Sequence, residues 1–201
     1  MDIALIERHR IHLSAAAEVF ARDERGSWAK RTPSVALVRA GVPSVGGLFS
    51  MAVPTAGANP GAVLDAVADT ARLSGQAFLL WTHAGGDDAV ANEAWQRGLV
   101  LQSQLAVMML TDPPTGRDMG GLIEVTTPAD GRSVRAIHAG LRGDVPDSDE
   151  AVGHWSRDDV LLGEAVTAMY VEEGGVPVAT AMLVRAGGEV GVYWVATLPS
   201  A

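Results

Sequence analysis

The chain has 201 residues, 48% hydrophobic and 19% charged, enough for one large domain or two small ones with their own cores. Its formal net charge of -9, with no basic patch, disfavours nucleic acids and anionic membrane surfaces as partners. Cysteine is absent, which excludes disulfides and thiolate chemistry. The first residues carry charges throughout rather than a basic flank before an apolar run, and no apolar run of about 18 residues occurs, so we expect a cytoplasmic protein that is neither secreted nor membrane-spanning.

The first part of the chain predicts a helix, a hairpin and a second helix. Apolar residues at helical spacing predict a helix from Asp2 to Arg22. Two β-rich runs, Val35–Arg39 and Gly47–Val53, flank a stretch rich in glycine, proline and serine, which predicts a hairpin. Asn59 before Pro60 is a typical helix start, and an apolar face continues from it to Ser74.

Two further apolar runs complete this part. Ala77–Thr82 has the length and composition of a strand that is buried on both faces. A short helix is predicted from Asp87 to Arg97, closed by Gly98, and a long strand over Leu99–Leu110. Helices and strands therefore alternate, which indicates a mixed α/β architecture.

Residues 113–120 are rich in glycine and proline, and we interpret them as a linker. A second part of the chain comes after this linker. It begins with a strand and two helices and ends with three strands in succession. These elements are predicted at Leu122–Val125, Gly131–Leu141, Val160–Ala165, Val166–Glu172, Val176–Arg185 and Glu189–Thr197.

The sequence also contains an internal repeat. Leu37–Gly41 reads LVRAG and recurs letter for letter at Leu183–Gly187. A segment that begins with glycine follows each copy, at Gly47–Ala56 and at Gly191–Ala201. Self-similarity at this spacing indicates two related units. We predict that the two hairpins occupy the same place in their sheets.

The segment GVYWVATLPSA at Gly191–Ala201 resembles the fourth strand of the GNAT superfamily, the acetyl-CoA-dependent N-acetyltransferases. The stretch Asp87–Leu110 looks like that family's short helix, turn and closing strand, with Trp95 where tyrosine is usual. The resemblance implies a mixed α/β fold of the GNAT type. It further implies a divergent GNAT-like unit over 1–112, the linker over 113–120 and the front half of an acetyltransferase domain over 121–201.

An activity and a binding site follow from the same resemblance. It implies acetyl transfer from acetyl-CoA, as cosubstrate, to an amine of a small molecule or a peptide. The backbone of the fourth strand holds the pantetheine arm in this family, and the corresponding residues here are Val195, Ala196 and Thr197. A non-catalytic binding or regulatory protein of the same fold is the alternative.

The loop R/Q-x-x-G-x-G/A, which follows the fourth strand in this family and binds the coenzyme pyrophosphate, is not matched after Thr197. We therefore expect weak coenzyme binding and no activity from a chain that is cut off before this loop. We also expect the apolar edge of the last strand to pair with a second copy in a homodimer.

Other stretches favour structural roles. The loop Pro54–Gly61 has glycines, but no arginine or glutamine begins it and Pro60 lacks a backbone N–H, so a connecting loop is the favoured interpretation. No carboxylate accompanies Tyr193 and Trp194 to serve as the family's general base.

The histidines and acidic clusters give weak signals. His138 and His154 fall where the family forms the acceptor side of its pocket. His9 and His12 have no carboxylate in register, which does not favour a metal site. Solvated charges, rather than a calcium site or a catalytic base, are expected at Asp144, Asp147, Asp149, Glu150, Glu172 and Glu173.

Overall fold

The computed structural model describes residues 2–22, 26–39, 50–105, 107–108, 120–142 and 156–199. The chain forms two compact units, Met1–Arg117 and Asp118–Ala201, and each contains one four-stranded sheet. Within the described parts of the chain, no helix combines the length and apolarity that a membrane crossing requires.

The sheet of the first unit has the strand order β1-β2-β3-β4. Its neighbours pair antiparallel except β3 and β4, which are parallel and are joined through a helix. The elements are α1 (Ile3–Ala21), β1 (Trp28–Arg31), β2 (Val35–Arg39), β3 (Met51–Pro54), α2 (Pro60–Ser74), β4 (Leu79–Leu80) and α3 (Asp88–Gln96).

Both faces of this sheet are covered, which explains why β2 and β3 are apolar without alternation. One face packs against α1 and the other against α2 and α3. The strand residues that face α1 are Val38, Met51 and Val53, and those that face α2 and α3 are Val35, Leu37 and Ala52.

The predicted helices of the first unit and its hairpin are confirmed, but two strand predictions are wrong. Instead of a strand buried over Ala77–Thr82, β4 has two residues, Leu79 and Leu80, and both are half-buried. The described residues of Leu99–Leu110 form no strand, and Met108 is 93% exposed. Apolar composition alone produced both predictions, whereas a strand also needs a neighbour with which to pair.

One strand was not predicted. Trp28–Arg31 forms β1 at the edge of the sheet, where it pairs with β2. Its sequence WAKR lacks the apolar alternation of a half-buried strand, because three of its four residues are exposed.

The sheet of the second unit is antiparallel throughout, with the order β5-β6-β7-β8. Helix α4 packs across β6, β7 and β8, and Ile137 and Met182 are fully buried there. The elements are β5 (Leu122–Glu124), α4 (Pro128–Arg142), α5 (Asp158–Leu161), β6 (Val166–Glu173), β7 (Val176–Ala186) and β8 (Glu189–Thr197).

Two-residue glycine turns fix the register of the second sheet. Gly174–Gly175 joins β6 to β7 and Gly187–Gly188 joins β7 to β8, and all four glycines have positive φ. Positive φ at both central positions gives the turn type whose twist matches antiparallel strands.

All four predicted strands of the second unit are confirmed, and both helices begin earlier than predicted. The helix predicted over Val160–Ala165 is the single turn Asp158–Leu161, because the chain turns at Gly163 to enter β6. Glu172 and Glu173 are exposed, as expected. His154, the acidic residues 144–150, Gly47 and nearly all of the predicted linker lie outside the described residues.

The two hairpins occupy corresponding places, as predicted. Strand β2 lies between β1 and β3, and β7 lies between β6 and β8. When the LVRAG segments are placed on each other, Ala52 corresponds to Val192, since these residues pair with Leu37 and Leu183. The alignment of Gly47 with Gly191 by letters is therefore wrong, because it assigned Ala196 to Ala52 and ignored the longer loop of the first hairpin.

Candidate functional site

A β-bulge interrupts β8 beside the residues predicted to bind the cofactor. Tyr193 pairs with Met182 and Ala196 pairs with Thr180, so two residues, Trp194 and Val195, lie opposite Ala181 alone. Trp194 has a φ of 52° and is the one non-glycine residue with positive φ in the described ranges. Such a backbone costs about 1–2 kcal/mol, and strain of this kind concentrates at functional sites.

The three predicted cofactor-binding residues lie at and after this bulge. Val195 is 69% exposed and Thr197 is exposed, whereas Ala196 is buried in the core of the unit. A bulge leaves its extra residue out of the ladder of hydrogen bonds with the neighbouring strand. The regular ladder between β7 and β8 is therefore interrupted at Val195.

Helix α4 brings His138 to the bulge. Its ring meets that of Trp194 edge to face, with 6.5 Å between the centroids and 83° between the planes. His138 is buried. Burial also raises the pKa of Tyr193, the residue before the bulge, to about 12, so its hydroxyl keeps its proton at neutral pH.

Regular pairing resumes after the bulge and fixes its position. The Leu198 backbone N–H donates to the Val178 carbonyl at 2.8 Å. A Cβ on Gly140 of α4 would lie 3.0 Å from the Leu198 side chain, so glycine allows this close approach. The bulge is therefore held between a paired strand segment and a packed helix.

In the first unit, the loop after β3 connects this strand to α2. The Asn59 side chain accepts a hydrogen bond from the Ala62 backbone N–H at 3.0 Å, which caps α2 and uses a donor that a phosphate would need. The carbonyl of Pro54, at the end of β3, accepts from Arg10 at 2.6 Å. These contacts support the favoured interpretation of Pro54–Gly61 as a connecting loop.

A polar cluster at the end of the same sheet was missed from the sequence. Arg10 donates to one carboxylate oxygen of Asp87 at 2.8 Å, and the backbone N–H of His83 donates to the other at 2.9 Å. Nδ1 of His83 lies 3.1 Å from that second oxygen, and Nε2 of His83 lies 2.8 Å from Nδ1 of His9. The partner of His9 is thus 74 positions away, and no local pattern indicates it.

The charges of this polar cluster are set by its contacts. Burial would raise the pKa of Asp87, but hydrogen bonds from His83 and Arg10 outweigh it and lower that pKa, so Asp87 is a carboxylate. Burial and the neighbouring His83 and His12 lower the pKa of His9 to about 4. No group of three or more side chains suited to a metal ion occurs in the described ranges.

Comparison with known proteins gives a likeness in structure. No family model matches the chain, and no curated protein does. A solved structure, the GCN5-related N-acetyltransferase from Kribbella flavida, is similar with a TM-score of 0.62 and 18% sequence identity. The match covers 97% of this chain and 74% of that chain, so it includes residues of both units. The chain therefore has the mixed α/β fold of the GCN5-related N-acetyltransferases.

Proposed function

We propose that the protein transfers an acetyl group from acetyl-CoA to an amine of a small molecule or a peptide. The observation that carries this proposal is the bulge in β8, which interrupts the pairing with β7 at the exposed Val195, in the strand where the sequence resembles the pantetheine-binding strand. The likeness in fold to an N-acetyltransferase structure supports it. We also propose that the two units are a tandem of related GNAT-like units, which the corresponding hairpins support.

The bulge suits this chemistry because it can present backbone donors. The neutral amine attacks the carbonyl carbon of the thioester, and negative charge develops on the carbonyl oxygen. Backbone N–H groups that are already in place stabilise that charge without reorganisation. The C–S bond then breaks, the amine loses a proton and the thiolate of coenzyme A gains one.

The geometry also favours a second candidate, a non-catalytic binding protein. Strand β8 has one carboxylate, Glu189, and this residue lies at the start of the strand, well before the bulge. Release of coenzyme A thiol from acetyl-CoA with any member of a panel of primary amines would exclude this second candidate.

Deletion of the bulge tests the site. Removing Val195 leaves Trp194 alone opposite Ala181. Since the bulge contains one extra residue, its loss restores regular pairing, and every later side chain stays on the same face of the sheet. The backbone offers only a few hydrogen bonds of about 0.5–1.5 kcal/mol each, so we expect affinity for acetyl-CoA near or weaker than about 1 mM. Saturation-transfer NMR detects binding in this range.

We expect transfer to the pantetheine protons of acetyl-CoA in the wild type and in Val195→Ala, which keeps the bulge, and none in the deletion variant. A folded deletion variant that binds like the wild type would show that the bulge is not the site.

We further propose that the free edge of β8 pairs with a second copy of the chain. Within the described residues β8 pairs on one side only, and Val190 and Val192 are 58% and 63% exposed. An apolar edge strand recruits another chain. The two uses of this edge compete, so acetyl-CoA should shift the protein towards monomer in analytical ultracentrifugation. A monomer at all concentrations would count against the dimer.

The cytoplasmic location and the absence of nucleic-acid and membrane partners stay predictions.

A further inference from the structure

The polar cluster of the first unit forms a continuous chain of hydrogen bonds that ends at a histidine. It runs from the Asp87 carboxylate to Nδ1 of His83, and from Nε2 of His83 to Nδ1 of His9, with separations of 3.1 and 2.8 Å. The carboxylate is almost fully buried, with 2% of its side chain exposed, and the His83 side chain is 11% exposed. His9 is only half-buried.

The ionised carboxylate fixes the tautomer of both rings. A carboxylate only accepts hydrogen bonds, so Nδ1 of His83 carries the proton that points to Asp87. Nε2 of neutral His83 is then an acceptor, and Nδ1 of His9 must donate to it. Nε2 of His9 is left with a free lone pair, and no described residue hydrogen-bonds to it.

The position of this nitrogen is one where ligands bind. His83 follows β4 closely, and Arg10 of the same cluster bonds the last carbonyl of β3. These two strands are parallel, and ligands of open α/β sheets bind outside the carboxyl ends of parallel strands. The chain of hydrogen bonds therefore opens to solvent at the edge of the sheet where a ligand is expected.

We propose that Asp87, His83 and His9 form a proton relay, with Nε2 of His9 accepting a proton from an N–H or O–H group of a small-molecule ligand. The ligand's proton passes to Nε2 of His9 as the proton on Nδ1 of His9 passes to Nε2 of His83. His9 ends neutral, His83 ends as an imidazolium beside the Asp87 carboxylate, and the ligand has lost one proton. His83 and Asp87 are positioning residues, and His9 alone meets the ligand.

The charges around the relay agree with this direction of transfer. The titratable groups that face it are His12, Glu7 and Arg10 of α1, together with His83 and Asp87 themselves. The low pKa of His9 means that this ring does not retain a positive charge, so the charge moves on to the ring that lies beside a carboxylate. The relay does not depend on the acetyl-transfer proposal, which concerns the second unit.

The tautomers give a direct test by nitrogen NMR of the imidazole rings. In the wild type we expect His9 and His83 both to be protonated on Nδ1 at pH 7. Asp87→Ala removes the acceptor that holds the proton on Nδ1 of His83, so neither ring is held in one tautomer and part of the His9 population should carry its proton on Nε2. A purely structural role of Asp87 would not move a proton on a ring that it does not touch.

A second variant covers the case in which Asp87→Ala does not fold. His83→Phe keeps a planar ring of similar size but removes both nitrogens, so the Nδ1 proton of His9 loses its acceptor. The tautomer of His9 should then no longer be fixed, and part of its population should carry the proton on Nε2. His138→Gln, in the second unit, should leave the tautomer of His9 unchanged. A wild-type His9 protonated on Nε2, or a His9 that stays fully protonated on Nδ1 in His83→Phe, would overturn the relay.

Reactivity at low pH tests the exposed lone pair. Diethyl pyrocarbonate modifies unprotonated imidazole, and an ordinary histidine loses about 30-fold of this form between high pH and pH 5. His9 should keep almost all of its reactivity at pH 5, as measured by mass spectrometry of its peptide. A His9 that loses reactivity at pH 5 like an ordinary histidine contradicts the proposal.

Discussion

The hairpins of the two units have the same strand pairing but differ at the end of the last strand. Val35 corresponds to Ala181 in the LVRAG alignment, and it pairs with Pro54, the last residue of β3. At the corresponding place in the second unit, Ala181 faces the bulge at Trp194 and Val195. In the first unit Arg10 donates a hydrogen bond to the Pro54 carbonyl at the strand end, whereas the corresponding place in β8 holds the bulge with the exposed residue Val195. The strand pairing is therefore the same in the two hairpins, and the units differ in which groups at the strand end a ligand could contact.

The outer edges of the two strands differ as well. Strand β3 pairs with β4 on its outer side, and in the described ranges β8 has no strand on that side. A paired edge has used its backbone groups, and a free edge keeps them for a ligand or another chain. Both differences support the proposal that strand backbone binds the ligand in the second unit.

The largest effect on stability is expected at the buried ion pair beside the end of β3 in the first unit. Asp87→Ala leaves Arg10, whose side chain is 6% exposed, without the carboxylate of a buried ion pair. Breaking such a pair costs about 3–5 kcal/mol, so the free energy of unfolding in urea should fall by that amount. Arg72→Ala breaks the exposed pair with Asp69 and should cost less than about 1 kcal/mol. Equal losses in both variants would mean that the buried pair does not anchor the strand end.

A smaller effect tests the correspondence of the two ladders. Val38 and Val184 occupy the same place in the repeat and are 1% and 0% exposed. Valine to alanine at either position should lower the free energy of unfolding of its own unit by a similar amount, within about 1.5–3 kcal/mol. Val190→Ala, at a residue 58% exposed, is the matched control and should change little. A strong effect in one unit alone would break the comparison.

The smallest effect is a decline in stability below about pH 6.5 that follows from the low pKa of His9 in the first unit. The pKa of His9 is about 4 in the folded chain and near 6.5 when unfolded, so the unfolded state binds the extra proton as pH falls. Stability should decline from about pH 6.5 to about pH 4, by roughly 1–2 kcal/mol once screening of this half-buried ring is allowed for.

His9→Gln should remove this decline. It should leave intact the loss at lower pH that follows protonation of Asp87, whose pKa is lowered in the folded state. Urea unfolding followed at several pH values measures both, and a decline that persists in His9→Gln would assign it to another group.

Local signals predicted most of the fold. The Asn59 cap and the apolar spacing of α2 are contained in neighbouring residues, and so are the glycine pairs that turn β6 into β7 and β7 into β8. The repeat LVRAG placed the two hairpins correctly, since β2 and β7 share its residues Leu-Val-Arg and are both central strands of their sheets.

The sites depended on contacts that no local pattern contains. Trp194 and Val195 are ordinary strand residues, and only their pairing with Ala181 shows the bulge. His9 and His83 meet through the packing of α1 against the sheet end, across 74 positions of sequence. The strand predicted over Leu99–Leu110 failed for the same reason, because strand formation depends on a partner that the segment itself does not specify.

The most direct test of the difference between the units is to locate acetyl-CoA on the protein. Backbone amide spectra of the nitrogen-15-labelled chain, recorded during titration with acetyl-CoA, report every residue near the ligand. We predict shifts that saturate together at Tyr193–Thr197, with Thr55–Gly61 unchanged. Shifts at Thr55–Gly61 with an unchanged β8 would contradict this account and would assign the coenzyme to the first unit.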